Sequence, residues 1–140
     1  MSVRAWDLCG KVVAEINESG ALPPGATVRR ELSVQLAPEE ITSMQVVVVQ
    51  TSSLLARDAR ESWDGTTGIG VVFKVQAATQ ELALAAMEHV QDVVDHLRSP
   101  DGVVAGYDLE TVELSPYDAR ILNESGVLVA VCTLTYRSTL

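Results

Sequence analysis

Aromatic residues are scarce: Phe, Trp and Tyr make up 4% of the 140 residues, with one phenylalanine and two tryptophans. A core must therefore be built from Val, Leu, Ile and Ala, which the 47% hydrophobic content supplies. Cysteine is nearly as rare. Cys9 and Cys132 stand far apart with no Cys-x-x-Cys, so both read as small buried hydrophobes, the alternatives being a disulfide or a metal site. Cations are outnumbered, ten Lys and Arg against nineteen Asp and Glu, for a net charge of −9. That argues against nucleic-acid binding by phosphate neutralisation, which needs clustered cations. No apolar run approaches the roughly 18 residues that span a bilayer. The first residues also lack the basic-then-apolar pattern of a leader. The expectation is a soluble, cytosol-made single domain over residues 1–140, with no membrane partner.

What is there is a run of short elements. Val3 to Glu18 reads as a helix, with Trp6, Cys9, Val13 and Ile16 at helical spacing, Ser2 as its cap, and Gly20, Pro23 and Pro24 ending it. Thr27 to Leu36 alternates as a half-buried strand, with Arg30 a misfit on its apolar face, and Pro38-Glu-Glu40 makes a turn. Met44 to Gln50 is apolar on both faces, the pattern of a central strand covered on both sides. Gly70 to Gln76 alternates, with Val71, Phe73 and Val75 inward against Val72, Lys74 and Gln76. Thr79 caps a second helix whose apolar stripe is Leu82, Ala86, Val90, Val93, Val94 and Leu97, ended by Pro100-Asp-Gly102. Tyr107 to Leu114 and Val127 to Arg137 read as two further strands. Helix, three strands, helix, two strands predicts an α+β fold: a mixed, mainly antiparallel sheet of about five strands with two helices packed on it.

No catalytic, cofactor or metal constellation emerges. His89 and His96 lie seven residues apart, about 10.5 Å of helical rise, too far for one ion without a third element. With Glu88, Asp92 and Asp95 between them, they read as a solvated, mildly ion-paired face, the rival being a metal or acid–base cluster. Ser62, Ser115 and Ser125 lack a Gly-x-Ser-x-Gly setting. Gly65-Thr-Thr-Gly-Ile-Gly70 mimics a phosphate loop but lacks the Lys-Ser/Thr end and leads into a strand, so a hairpin-like strand entry is expected. An enzyme is not expected. The residues from Thr51 to Gly68 form a loop longer than the about 12–15 residues usual without structure. It holds Arg57, Arg60 and Trp63, residue types favoured as interface anchors. The alternatives are a mobile excursion and a subunit contact, and an isolated Trp tips the balance to the contact.

Taken together, Val46-Val-Val-Val49, the Arg-bearing loop, Gly70-Val-Val-Phe-Lys-Val-Gln76, the helix from Glu81 to Arg98 and the closing Gly126-Val-Leu-Val-Ala-Val-Cys-Thr-Leu-Thr-Tyr-Arg137 resemble the small tail terminator proteins of long-tailed bacteriophages, also called tail completion or head–tail joining proteins. The resemblance covers nearly the whole chain and consists of patterns rather than invariant motifs. It implies a structural virion protein at the tail–head junction, made in the host cytoplasm. It implies a homo-oligomeric ring, typically a hexamer, that caps the tail tube protein, stops polymerisation and meets the head–tail connector protein. Duplex DNA would pass through the ring without specific binding, and no catalytic residues or cofactor come with the family. By position, Arg57, Arg60 and Trp63 would be the ring or tube contacts.

Physical estimates are compatible. A globule of this length has a diameter of roughly 37 Å, and six in contact leave a hole of similar width. An acidic wall would not grip phosphates. The rivals are another head–tail connector or stopper, and a small cytosolic ligand-binding module.

Overall fold

The computed structural model describes residues 3–31, 43–50, 66–115, 122 and 126–138. In chain order these form α1 (Val3–Ser19), β1 (Thr27–Arg30), β2 (Gln45–Gln50), β3 (Thr66–Gln76), α2 (Gln80–Arg98), a 3-10 turn (Pro100–Gly102), β4 (Tyr107–Ser115) and β5 (Val127–Ser138). The strands make one sheet in the order β1-β2-β3-β5-β4, with β1 parallel to β2 and every other pairing antiparallel. This is the mixed, mainly antiparallel α+β fold that the element pattern predicts.

Strand composition explains which positions are central. Val46 to Val49 are all buried, as β2 is flanked by β1 and β3 and covered on both faces. On the helix-facing side, Val46 and Val48 continue into Phe73 and Val71 of β3, then Ala130 and Cys132 of β5. Phe73, the single phenylalanine, lies opposite Ala130, a large residue facing a small one. The loop expected from Thr51 to Gly68 is too long at its end: Thr66 to Gly70 are already in β3, extending it to eleven residues. Lys74 also departs from expectation. It points away from the helices but is 1% exposed, as is its neighbour Val72 at 6%. Burial pushes the Lys74 ammonium below the usual lysine value, Arg29 adding to this and Glu31 opposing it.

The helices follow from their stripes, with a shift of phase. In α1 the buried positions are Ala5, Leu8, Cys9, Val12 and Ile16, while Trp6 and Val13 are half-buried. The reason for the shift is Arg30. Its guanidinium stacks 4.3 Å from the Trp6 ring and donates to the Trp6 carbonyl at 2.9 Å, so the misfit on the β1 face is the partner of the displaced tryptophan. Gly10 permits the approach, because a Cβ there would meet Arg30 Nη1 at 2.7 Å. In α2 the Thr79 hydroxyl accepts from Leu82 N at 3.2 Å, the expected cap. Leu82 itself is 53% exposed, and Ala83 takes its place in the buried stripe with Ala86, Val90, Val93, Val94 and Leu97. Gly102 closes the 3-10 turn against the last turn of α2, where a Cβ would collide with the His96 carbonyl. The expected cap Ser2, the extension of the first strand beyond Glu31 and the turn at Pro38 lie outside the described residues.

Candidate interaction surfaces

Arg57, Arg60 and Trp63 lie outside the described residues. The segment that holds them starts after Gln50 and ends before Thr66, neighbouring ends of the antiparallel β2–β3 pair, and Gln50 lies opposite Ile69.

The two histidines are structural links rather than a solvated face. His96 Nε2 meets Glu15 Oε1 of α1 at 3.2 Å, and His89 Nδ1 meets the Ala21 carbonyl at 2.8 Å. Asp92, the i,i+4 neighbour of His96, is exposed. The helix-surface pair that forms is Gln91 to Asp95, at 2.9 Å. Among the described residues no group of three or more His, Cys, Asp or Glu side chains is gathered to hold a metal. Among the described residues no helix is long and apolar enough to cross a membrane. Lys11 completes the fastening of α1: it donates to the Ala105 carbonyl at 3.2 Å and lies 5.4 Å from the Tyr107 ring centre. The first helix is thus held by Arg30 of β1, by His96 of α2 and by the turn before β4.

Beside that turn is a cleft of about 370 Å³, lined by Leu97, Arg98, Val103, Val104, Tyr107, Leu109 and Tyr136 among others. Val103 stands at its lip, 61% exposed. Tyr136 is 1% exposed and packs edge-on to Tyr107, ring centres 6.4 Å apart. Its hydroxyl is buried without a hydrogen-bond partner among the described residues. Burial drives its ionisation well above the ordinary tyrosine range, with Cys132 and Glu15 adding to the effect. A buried hydroxyl without a partner costs about 1–3 kcal/mol. Tyr136→Phe is therefore expected to stabilise the fold by about 1–2 kcal/mol, read as a rise in Tm. An unchanged or lowered Tm would show that the hydroxyl is satisfied.

Cys9 and Cys132 are buried and free, on α1 and β5, as the small-hydrophobe reading predicts. Burial pushes both thiols up to about 11, with Arg30 opposing at Cys9 and Arg98 at Cys132.

Among the described residues the sheet has two edges of opposite charge. β4 carries Asp108, Glu110 and Glu113, all exposed, and no cation. Glu110 accepts from Arg137 of β5 at 3.0 Å. β1 carries Arg29 and Arg30 and no anion, with Glu31 just beyond it paired to Arg29 at 2.9 Å. Sequence reasoning expects such edges on the strands that end at the chain termini; β1 is one, but β5 inserts between β3 and β4, so the other edge is β4. No protein-family model matches the chain, and no curated protein matches it.

Proposed function

We propose that this chain is a tail terminator of a long-tailed bacteriophage: a structural protein that closes into a ring of about six copies, caps the tail tube and offers the head connector its joining surface. The observation that carries the reading is the element pattern from Val46 to Arg137, which resembles that family in order and content, from the apolar strand through the Arg-bearing loop to the terminal Leu-Thr-Tyr strand. The net charge of −9 supports it, since DNA must slide through such a ring without being gripped. The protein partners are the tube protein on one face and the connector on the other, and the place of action is the virion's tail–head junction.

The test is solution mass by light scattering over a concentration series, with negative-stain images of the largest species and of purified tail tubes mixed with the protein. Rings of about six with a central hole, or protein at one end of the tubes, are the expected result. Binding to connector complexes but not to tubes would move the protein to the head side of the joint. A monomer that ignores tubes, with a Tm raised strongly by a small molecule, would favour a ligand-binding module and sink the reading. Within the reading, Trp63→Ala and Arg57→Glu are expected to spoil ring assembly while leaving the monomer folded by circular dichroism. Normal assembly of both variants would remove Arg57 and Trp63 from the contact.

A further inference from the structure

Among the described residues the sheet ends at β1 and β4, and these two edges are complementary in charge and can be joined with matching strand direction, hydrogen-bond phase and side-chain face. Direction follows from the topology. β4 is antiparallel to β5, β5 to β3, and β3 to β2, while β1 runs parallel to β2. Continued into a second copy, the sheet would set β4 antiparallel to that copy's β1.

The hydrogen-bond phase is set by the ladders. Thr27 N donates to the Met44 carbonyl and Glu31 N to the Val48 carbonyl, both at 3.0 Å, so Thr27, Arg29 and Glu31 bond inward. Val28 and Arg30 therefore aim their amide and carbonyl groups at the open edge. On the other side, Ala77 N donates to the Gly126 carbonyl at 2.8 Å, which continues the β3–β5 ladder and gives the even-numbered residues of β5 to β3. Its odd-numbered residues serve β4, so Thr111, Glu113 and Ser115 bond inward, opposite Thr135, Thr133 and Val131. Val112 and Leu114 are left to bond outward.

The faces agree with the phase. Val28, Val112 and Leu114 all pack against the core on the helix side, and Arg30 shares that side through Trp6. Arg29 and Glu113 both point to the opposite side. An antiparallel pairing demands that outward-bonding residues face one another with side chains on the same face. These two edges meet that demand, as strands of L-residues running in opposite directions do, so the joint can form without a bulge.

We propose that copies of this chain join head to tail by sheet continuation, β4 of one against β1 of the next, with Leu114 opposite Val28, Glu113 opposite Arg29 and Val112 opposite Arg30. Charge disfavours the symmetric alternatives: two β4 edges would oppose Asp108 and Glu113, and two β1 edges would oppose arginines. The helix layer favours the same joint. α1 lies over β1 and β2 while α2 lies towards β5, a spacing of two to three strands, or about 10–14 Å. Continued at that spacing, α1 of the next copy would come beside the cleft at Val104 and Leu109, where β4 is only half covered. Six sheets of five strands joined in this way make a circuit of about 140 Å, hence about 45 Å across. The closure at six rests on the tail-terminator reading. The edge contact does not.

The experiment uses the full chain and three variants. Glu113→Arg and Arg29→Glu are each expected to weaken association at least tenfold, measured by light scattering, and an equimolar mixture of the two is expected to restore it, because every joint in an alternating assembly again opposes unlike charges. Val112→Pro removes an amide that β5 does not use, so the monomer should fold normally by circular dichroism while association is lost. Variants that associate like the parent, or a mixture that restores nothing, overturn the edge contact and leave the tail reading standing. A parent chain that stays monomeric up to about 1 mM also overturns it. Recruitment to tube ends then decides the tail reading alone.

Discussion

Val93→Asp is expected to leave the protein without a cooperative unfolding transition at pH 7. Val93 is fully buried in α2, within the core shared by both helices and the sheet. The substitution forfeits the transfer energy of the valine, about 1.5–3 kcal/mol. It also places a carboxylate where nothing compensates it, at a further cost of several kcal/mol. Domains of this size have only about 5–15 kcal/mol in total. Val93→Ala removes volume without adding charge, so it should still unfold cooperatively after losing about 2 kcal/mol. Acid should partly restore the aspartate variant. The buried carboxyl would titrate above its unfolded value, so the folded state binds the proton more tightly and gains on the unfolded state as pH falls. Circular dichroism melts at pH 7 and pH 5 check both statements. A cooperative melt at pH 7 close to that of the parent would mean that α2 does not close the core.

The second large effect is loss of stability in alkali. Cys9 and Cys132 ionise near 9.0 in an unfolded chain, but burial holds them protonated to about 11 in the fold. The unfolded chain therefore releases these protons first, and rising pH favours unfolding. Stability from this source is fully present below about pH 9 and is lost as pH climbs to about 11. Two thiols shifted by about two pH units each correspond to about 5 kcal/mol at 1.36 kcal/mol per unit. Tyr136 acts in the same direction above its unfolded pKa of 10.0. Urea midpoints measured from pH 8 to pH 11 should fall steeply in the parent and much less in Cys9→Ala/Cys132→Ala. Equal slopes in the two proteins would place the thiols in contact with solvent.

Element identity was open to reading because it is written locally. Thr79 announces a helix start by its own hydroxyl, and the valines of β2 announce a strand covered on both faces. The errors sit where a distant partner decides. Trp6 has the spacing of a core residue, yet Arg30, twenty-four positions away, draws it to the margin and turns α1 onto Ala5 and Leu8. Leu82 fits the stripe of α2 as well as Ala83 does, but the smaller residue is the one the core accommodates. Lys74 alternates like a solvent-facing residue, and only burial on the second face of the sheet reveals otherwise. The histidines look like a charged helix face because their partners, Glu15 and Ala21, belong to the first part of the chain. At the interaction surfaces the gap is wider. Arg57, Arg60 and Trp63 lie outside the described residues, and the β1 and β4 edges exist only once the strand order is known.

That strand order also governs how the protein comes off the ribosome. β3 sits at the centre of the sheet, but its second neighbour, β5, is made only after α2 and β4 have been synthesised. At about 5–20 residues per second the interval is on the order of ten seconds. Throughout it, one side of β3, with Ile69, Val71, Val72 and Phe73 along its length, has no strand to pair with. A bare apolar edge of this kind is an aggregation hazard. Yield in a cell should therefore depend on translation speed and chaperone supply more than the finished fold would imply, and slowed elongation between β3 and β5 should send more of the chain into inclusion bodies.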